Sequence, residues 1–374
     1  MFFFFFDESL YKGNKGEWSE VYTHFKLLAD GELHGADGKL NRMDSINYPI
    51  ISILRQEKES GLFTYDIDRE NGQIIVSDSE GKSHSFDRTD FETKASELLQ
   101  LIKTAKNKKG ESLAFPEIGM FMNNIGMRYL KAKSADKSDI RMVVHDFHIN
   151  SNKEYGYSIK SKLGGNSTLF NANKDGTNFL FKVKGELSAT EIEAFNGIKL
   201  FKDKFAYLKE HGCTLEFNDV VNPTFNCNLT LIDSDLKRIL AECLLVYYSH
   251  QANTMVDVGE IVSKTNPCRY PEVYSIDFYA YKLKQFLIIT ALGMTANTPW
   301  DGQYQANGGY IVVKEDGDVV CFHFIDRNQL EDYLYHNTAF DTPSTSRHAF
   351  GYIYEDGGEL WMKLNMQIRF KHDN

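Results

Sequence analysis

Two short β-rich runs around a polar turn constrain this chain more than any other feature. Ser138-Asp139-Ile140-Arg141-Met142-Val143-Val144-His145-Asp146 leads into a polar break at residues 147–153 that carries Asn150-Ser151-Asn152. A second run, from Tyr155 to Leu163, ends at Gly164-Gly165. Apolar-rich segments bounded by turn-forming Asn and Ser predict an antiparallel hairpin. With the turn centred near residue 150, position 139 pairs near position 160, which brings the Asp139 carboxylate beside the Lys160 ammonium. Ser158 lies two residues from Lys160 and shares its face of the strand.

A carboxylate and a lysine on adjacent strands suit metal-dependent phosphodiester chemistry. The acid holds a divalent cation, and the lysine orients the attacking water and offsets charge at the scissile phosphate. Asp146 is the alternative acid. It sits at the turn end of its strand and pairs near residue 153, far from Lys160, so strand geometry favours Asp139. Mg²⁺ demands oxygen ligands, which Asp139, a main-chain carbonyl near Ile159, water and a substrate phosphate can supply. His145 and His148 have no partners at metal-ligand spacing and read as structural histidines.

Composition narrows the class. At 374 residues with 42% hydrophobic and 25% charged side chains, the chain is ordinary globular material with room for one large core or several smaller ones. No apolar run approaches the ~20 residues of a membrane span. The opening run Met1 to Phe6 has no basic flank and runs straight into Asp7-Glu8, so it is a poor signal peptide. It reads as a buried or partner-covered strand, or as a product of start-site choice. Cys213, Cys227, Cys243, Cys268 and Cys321 are scattered and never in CxxC spacing. That argues for a reducing cytoplasm and against a disulfide framework or a structural zinc. A formal charge of −10 counts against nucleic acid on its face. The basic residues nevertheless cluster, at Lys103, Lys106, Lys108 and Lys109, at Lys131, Lys133, Lys137 and Arg141, and at Lys153, Lys160 and Lys162. Such a cluster is most often a solvated face, but two of these flank the hairpin site, which favours contact with phosphates.

Trp18, Val21, Tyr22, Phe25 and Leu28 recur at helical spacing and predict a helix from Gly16 to about Leu28, ended by Asp30-Gly31. Strands are expected at 50–55 and 63–68, with Asn71-Gly72 as a hairpin turn before Gln73-Ile74-Ile75-Val76. Helices are expected at 89–105 and 116–129, and Phe179 to Lys184 reads as a further strand. Ser188-Ala189-Thr190-Glu191 fits a capping box that starts another helix. Asp233 to Tyr248 reads as an apolar core helix, and a helix near 275–293 precedes β-rich segments after Gly308. The expected class is α/β or α+β, a mixed-sheet catalytic core flanked by helices with an added C-terminal mixed α/β region. The expected division is an N-terminal helix with a small β region at 1–110, a catalytic core at 111–255 and a C-terminal DNA-recognition region at 256–374.

Asp139 with Ser158-x-Lys160 resembles the PD-(D/E)xK nuclease signature, with Ser138 in place of its Pro and Ser158 where a Glu or Asp is common. The second departure leaves a metal ligand missing. In related restriction endonucleases a carboxylate from a neighbouring helix fills that place, and Glu17, Glu20, Glu191 or Glu193 are the candidates. A narrower resemblance covers residue 12 to the end. Lys12-Gly13-Asn14-Lys15-Gly16-Glu17-Trp18-Ser19-Glu20, the stretch Ser134 to Asp146, and Gly156-Tyr157-Ser158-Ile159-Lys160-Ser161-Lys162-Leu163-Gly164-Gly165 look like the HpaII-type restriction endonucleases. So do Leu169-Phe170-Asn171-Ala172 through Phe179, and the ending Lys363 to Phe370. The resemblance implies a type II enzyme that cuts double-stranded DNA at CCGG between the two cytosines, with Mg²⁺. It also implies DNA contacts at Lys162 and Asn171 and a cognate DNA methyltransferase as genetic partner.

The C-terminal run supplies a recognition candidate. Leu364, Met366, Ile368 and Phe370 alternate with Lys363, Asn365, Gln367 and Arg369, the side-chain types that read base edges. The loop Thr342 to His348, with Arg347 and His348, is a second candidate for phosphate or guanine contacts. A palindromic target calls for a two-fold homodimer, although monomeric cutters exist. The competing readings are a non-catalytic DNA-binding protein, favoured by Ser158, and a repair-type nuclease on the same core.

Overall fold

Asn14 starts the first helix, Lys15–Asp30. Its side chain accepts from the Glu17 amide while the Glu17 carboxylate accepts from the Asn14 amide, a closed capping box. Gly31, at φ 72°, ends the helix by donating its N–H to the Leu27 carbonyl, a conformation that suits a residue without Cβ. The computed structural model describes residues 6–106, 112–130, 138–147, 150–164, 167–304, 306–324 and 327–371. The five predicted apolar positions of this helix are all buried. They share one core cluster with Phe91, Ala95, Leu98 and Ile102 of the helix Arg88–Thr104 and with Ile118 and Met122 of the helix Pro116–Asn124. Each such side chain taken from water contributes roughly 1.5–3 kcal/mol. The helix expected at 116–129 stops at Asn124.

Among the described residues, nine strands make the sheet beneath these helices. Its order is Glu32–Ala36, Val319–His323, Gly309–Val313, Ser151–Ser161, Ile140–Asp146, Arg42–Glu57, Gly61–Asp68, Gln73–Ser77 and Ser83–Asp87. The pattern at 50–55 marked only part of a 16-residue strand. The first half of that strand pairs with Glu32–Ala36 and the second half with Ile140–Asp146 and Gly61–Asp68. A register break between Ile50 and Ser52 lets it change partners, and the pairing with Glu32–Ala36 closes six strands into a ring. The hairpin marked by Asn71-Gly72 is present, with Asp68 pairing Gln73 and the whole of 69–72 as its connection.

The described chain divides into two compact units, residues 1–167 with 305–330, and residues 168–304 with 331–374. Neither boundary falls near 110 or 255. The reason is topological: Gly309–Val313 returns to pair in parallel with Ser151–Ser161, so the first unit borrows a hairpin from late in the sequence. The second unit holds a four-stranded sheet and a three-stranded sheet among its described residues, with the helices from Ala189–Gly197 to Phe278–Ala291. The fold is therefore a mixture of helices and largely antiparallel sheets. Among the described residues, no helix is long and apolar enough to cross a membrane.

In the second unit Ser188 and Glu191 close the predicted capping box of the helix Ala189–Gly197. The buried Lys204 finishes that helix, its Nζ donating to the Phe195 carbonyl at 2.9 Å. Burial pushes the Lys204 pKa down to about 8, whereas an unfolded lysine titrates near ~10.4. Between those values the unfolded chain binds more protons than the folded one, so stability rises with pH across that window. Lys204→Met should remove this contribution. Denaturant melts from pH 7.5 to 10 should show the wild-type protein gaining about 1–2 kcal/mol relative to the variant. Parallel pH profiles would remove Lys204 as the cause.

Candidate active site

The hairpin forms as predicted, with a shorter register. Asp146 pairs with Ser151 and Ile140 with Tyr157, which puts Asp139 opposite Ser158 rather than near Lys160. Fewer residues lie in the turn than a centre at residue 150 would require, and every pair shifts accordingly. Strand parity still places positions 139, 158 and 160 on one face. The Asp139 amide donates to the Tyr157 carbonyl at 2.9 Å. Its carboxylate Oδ2 accepts from the Ile159 amide at 2.7 Å and from Ser158 Oγ at 3.2 Å.

Lys160 opens onto a cavity of about 430 Å³. Asn14, Lys15, Gly16, Glu17 and Glu20 of the first helix line one side, with Ile159, Lys160, Ser161, Gly164 and Ser167 on the other. Among the described residues the Lys160 ammonium has no hydrogen-bond or ion-pair partner. Glu17 and Glu20 stand three apart on the helix, so their side chains are neighbours on its surface. One Glu17 oxygen is held by the Asn14 amide at 2.7 Å, which fixes where that carboxylate sits. Lys15, Gly16, Ser161 and Gly164 stood in the stretches that carried the resemblance but had no role assigned to them, and Ser167 lay outside those stretches.

Among the described residues, no group of three or more His, Cys, Asp and Glu side chains could hold a metal ion. That does not disqualify Mg²⁺, which keeps several waters and commonly takes one or two carboxylates plus a substrate phosphate. Glu17 and Glu20 at the cavity, with Asp139 on the adjoining strand, are hard oxygen donors of that kind.

Asp146, the alternative acid, is fully buried and accepts from the Tyr155 hydroxyl at 3.4 Å. Burial, and then the neighbouring Asp146 charge, push the Tyr155 pKa up. Inward alternation of the strand sends Asp146 into the core, whereas position 139 faces the other way. His145 is a cross-strand partner of Asn152, at 2.9 Å from its Oδ1. His148, Gly165, Lys108, Lys109, Lys131, Lys133 and Lys137 lie outside the described residues, as does the run from Met1 to Phe5. Arg141 is paired with Glu154, and Lys103 donates to the Asp316 carbonyl.

The second unit contains Glu191, Asn171 and the two recognition candidates. The Glu191 carboxylate is engaged by Ser188 in its capping box, and Glu193 is exposed. The C-terminal run is not one strand. Glu359–Asn365 and Ile368–Phe370 belong to different sheets, with Met366-Gln367 between them. Asn365 is completely buried. Its amide donates to the Asn173 carbonyl and to Asn178 Oδ1, and its oxygen accepts from Thr177 Oγ1. Gln367 is also buried. Lys363 lies over the Tyr354 ring at 5.6 Å and stays half-exposed. Arg369 Nε sits 2.6 Å from Asp341 Oδ2. Arg347 and Asn171 are exposed, and burial next to Arg347 pushes the His348 pKa down. The polar face expected on the C-terminal run therefore reduces to Lys363 and Arg369.

The sequence matches the model of the HpaII restriction endonuclease family over residues 14–370. It is 45% identical over 362 residues to the type II restriction enzyme HpaII of Haemophilus parainfluenzae, covering 96% of this chain and 99% of that protein. The chain belongs to the HpaII restriction endonuclease family. No solved structure matches it. The HpaII family match begins at Asn14, the cap of the helix that lines the cavity, and ends at Phe370, the last residue of the final strand. It thus takes in both the cavity and the second unit. The HpaII relative extends across the whole architecture, so the borrowed hairpin at 305–330 lies inside the shared region.

Proposed function

We propose that this site-specific deoxyribonuclease cuts double-stranded DNA at CCGG, between the two cytosines, with Mg²⁺ at the cavity beside Lys160. The observation that carries this reading is the convergence of Lys160 and the Glu17 and Glu20 pair on one cavity in a chain of the HpaII restriction endonuclease family. A PD-(D/E)xK-like core is proposed for the hairpin and the strands beside it.

When bound, Mg²⁺ polarises a phosphoryl oxygen and neutralises charge on the phosphate under attack. The residues of the chain do the rest. Asp139 and one carboxylate of the helix, Glu17 or Glu20, supply oxygen ligands beside water and the substrate phosphate, and that helix carboxylate takes over from the missing acid at position 158. Glu191, which is not among the residues lining the cavity, is the weaker candidate for that role. Lys160, a compact charge with three donors, hydrogen-bonds the scissile phosphate and offsets the charge that develops there. Its lack of a partner among the described residues leaves it available for this.

Recognition is assigned to Arg369, Lys363, Arg347 and His348, with Lys162 and Asn171 at the backbone. Arg369 has to exchange its ion pair with Asp341 for a guanine edge. CCGG reads the same on both strands, so two chains related by a two-fold axis would cut it symmetrically. A cognate methyltransferase would protect the same sequence in the cytoplasm of the host.

The test is incubation with a mapped plasmid in Mg²⁺ or EDTA, followed by sequencing of the ends. Mg²⁺-dependent fragments ending at C/CGG are expected. Discrete ends at another sequence would overturn the CCGG assignment, and cleavage in EDTA would overturn the role of the metal.

A further inference from the structure

Oδ2 of Asp139 receives two donors from one strand, the Ile159 amide at 2.7 Å and the Ser158 hydroxyl at 3.2 Å. Oδ1 accepts no hydrogen bond among the described residues. The backbone is held as well, by the Asp139 amide on the Tyr157 carbonyl. Gly156 permits this approach. A Cβ on Gly156 would fall 2.8 Å from Ser138 Cβ and 2.9 Å from its Oγ, so the segment entering Asp139 rests directly on the neighbouring strand. Ser158 itself is 8% exposed, and its hydroxyl is directed at Asp139 rather than at water.

From this geometry we infer that Ser158 is a positioning residue, whose hydroxyl fixes the Asp139 carboxylate so that Oδ1 faces the catalytic cation. The inference rests on the reading of Asp139 as a metal ligand. Two donors on Oδ2 and none among the described residues on Oδ1 make the two oxygens unequal, which restricts rotation about the carboxylate. A hydroxyl does this without charge: it orders the ligand without adding a second carboxylate beside it. A serine at this place is thus a working part of the site rather than a lost ligand. The amide of Ile159 is backbone and survives substitution, so the hydroxyl is the half that can be tested.

The experiment titrates Mg²⁺ against cleavage rate for the wild-type protein, Ser158→Ala and Ser158→Thr, with Mg²⁺ affinity measured by calorimetry without DNA. Ser158→Ala should raise half-saturating Mg²⁺ about tenfold, the scale of a lost hydrogen bond to a charged group, and weaken the calorimetric affinity in step. The maximal rate should fall less than the affinity does. Ser158→Thr, which keeps the hydroxyl, should restore both. Should the alanine variant fold poorly, Ser158→Cys keeps the bulk with a weaker donor and carries the same expectation. Wild-type Mg²⁺ dependence in the alanine or cysteine variant, or a rate loss identical at every Mg²⁺ concentration, overturns the inference. Asp139→Asn separates the two levels. If it still cleaves, the reading of Asp139 as a ligand fails; if it is inactive while Ser158→Ala is unchanged, only the role of Ser158 falls.

Discussion

Lys160→Ala is expected to lower the cleavage rate by about 10³-fold or more while changing DNA affinity by less than about fivefold. The asymmetry follows from where the ammonium sits. It lines a cavity beside two carboxylates and has no partner among the described residues, so its removal breaks no ion pair and strands no buried group among them. Duplex binding draws on many phosphate contacts, of which one lysine supplies a single term. Lys160→Arg should not rescue the rate, because a planar fork does not replace a compact point charge in a shaped cavity. Single-turnover cleavage and gel-shift affinity, measured on the same duplex, decide the matter. Equal losses in both would reduce Lys160 to an ordinary phosphate contact, and full activity would remove it from the site.

Asn365→Ala is expected to cost about 2–4 kcal/mol of stability, with no selective change in which DNA sequence is cut. Its amide ties Thr177, Asn173 and Asn178 together with no exposure to water. Removing it strands Oδ1 of Asn178, whereas the Asn173 carbonyl keeps the amide and hydroxyl of Thr177, and the penalty for a buried unpaired group exceeds the net worth of the bond. Chemical denaturation gives the first number, and cleavage across CCGG and its single-base variants gives the second. A stable Asn365→Ala protein with relaxed specificity would return this residue to base recognition.

The alternation Lys363, Asn365, Gln367, Arg369 was legible as a period-two pattern, yet alternation describes one strand and the run is divided between two sheets. Asn365 shows why polarity is a poor guide to exposure, since an amide with three partners is as satisfied inside as in water. The hairpin from Ile140 to Ser161 was legible because β-rich segments and turn formers lie side by side in sequence. Its register was not, because turn length sets it and a shift of two residues leaves the alternation unchanged. The cavity was half legible. Glu17, Glu20 and Lys160 carry recognisable chemistry, whereas Lys15, Gly16 and Gly164 matter only through where they stand.

By itself the sequence determined the local events: the capped start at Ser188, the apolar face of the first helix, the hairpin, and the residue types able to hold a cation and a phosphate. These depend on neighbours a few positions apart, where propensity, capping and side-chain period act directly. Only the tertiary structure decided that Asp139 faces Ser158, that Asp146 and Asn365 are buried, and that residues 305–330 complete the first unit. Those outcomes are pairings between distant segments, chosen by which packing buries the most apolar surface while leaving the fewest polar groups unmatched.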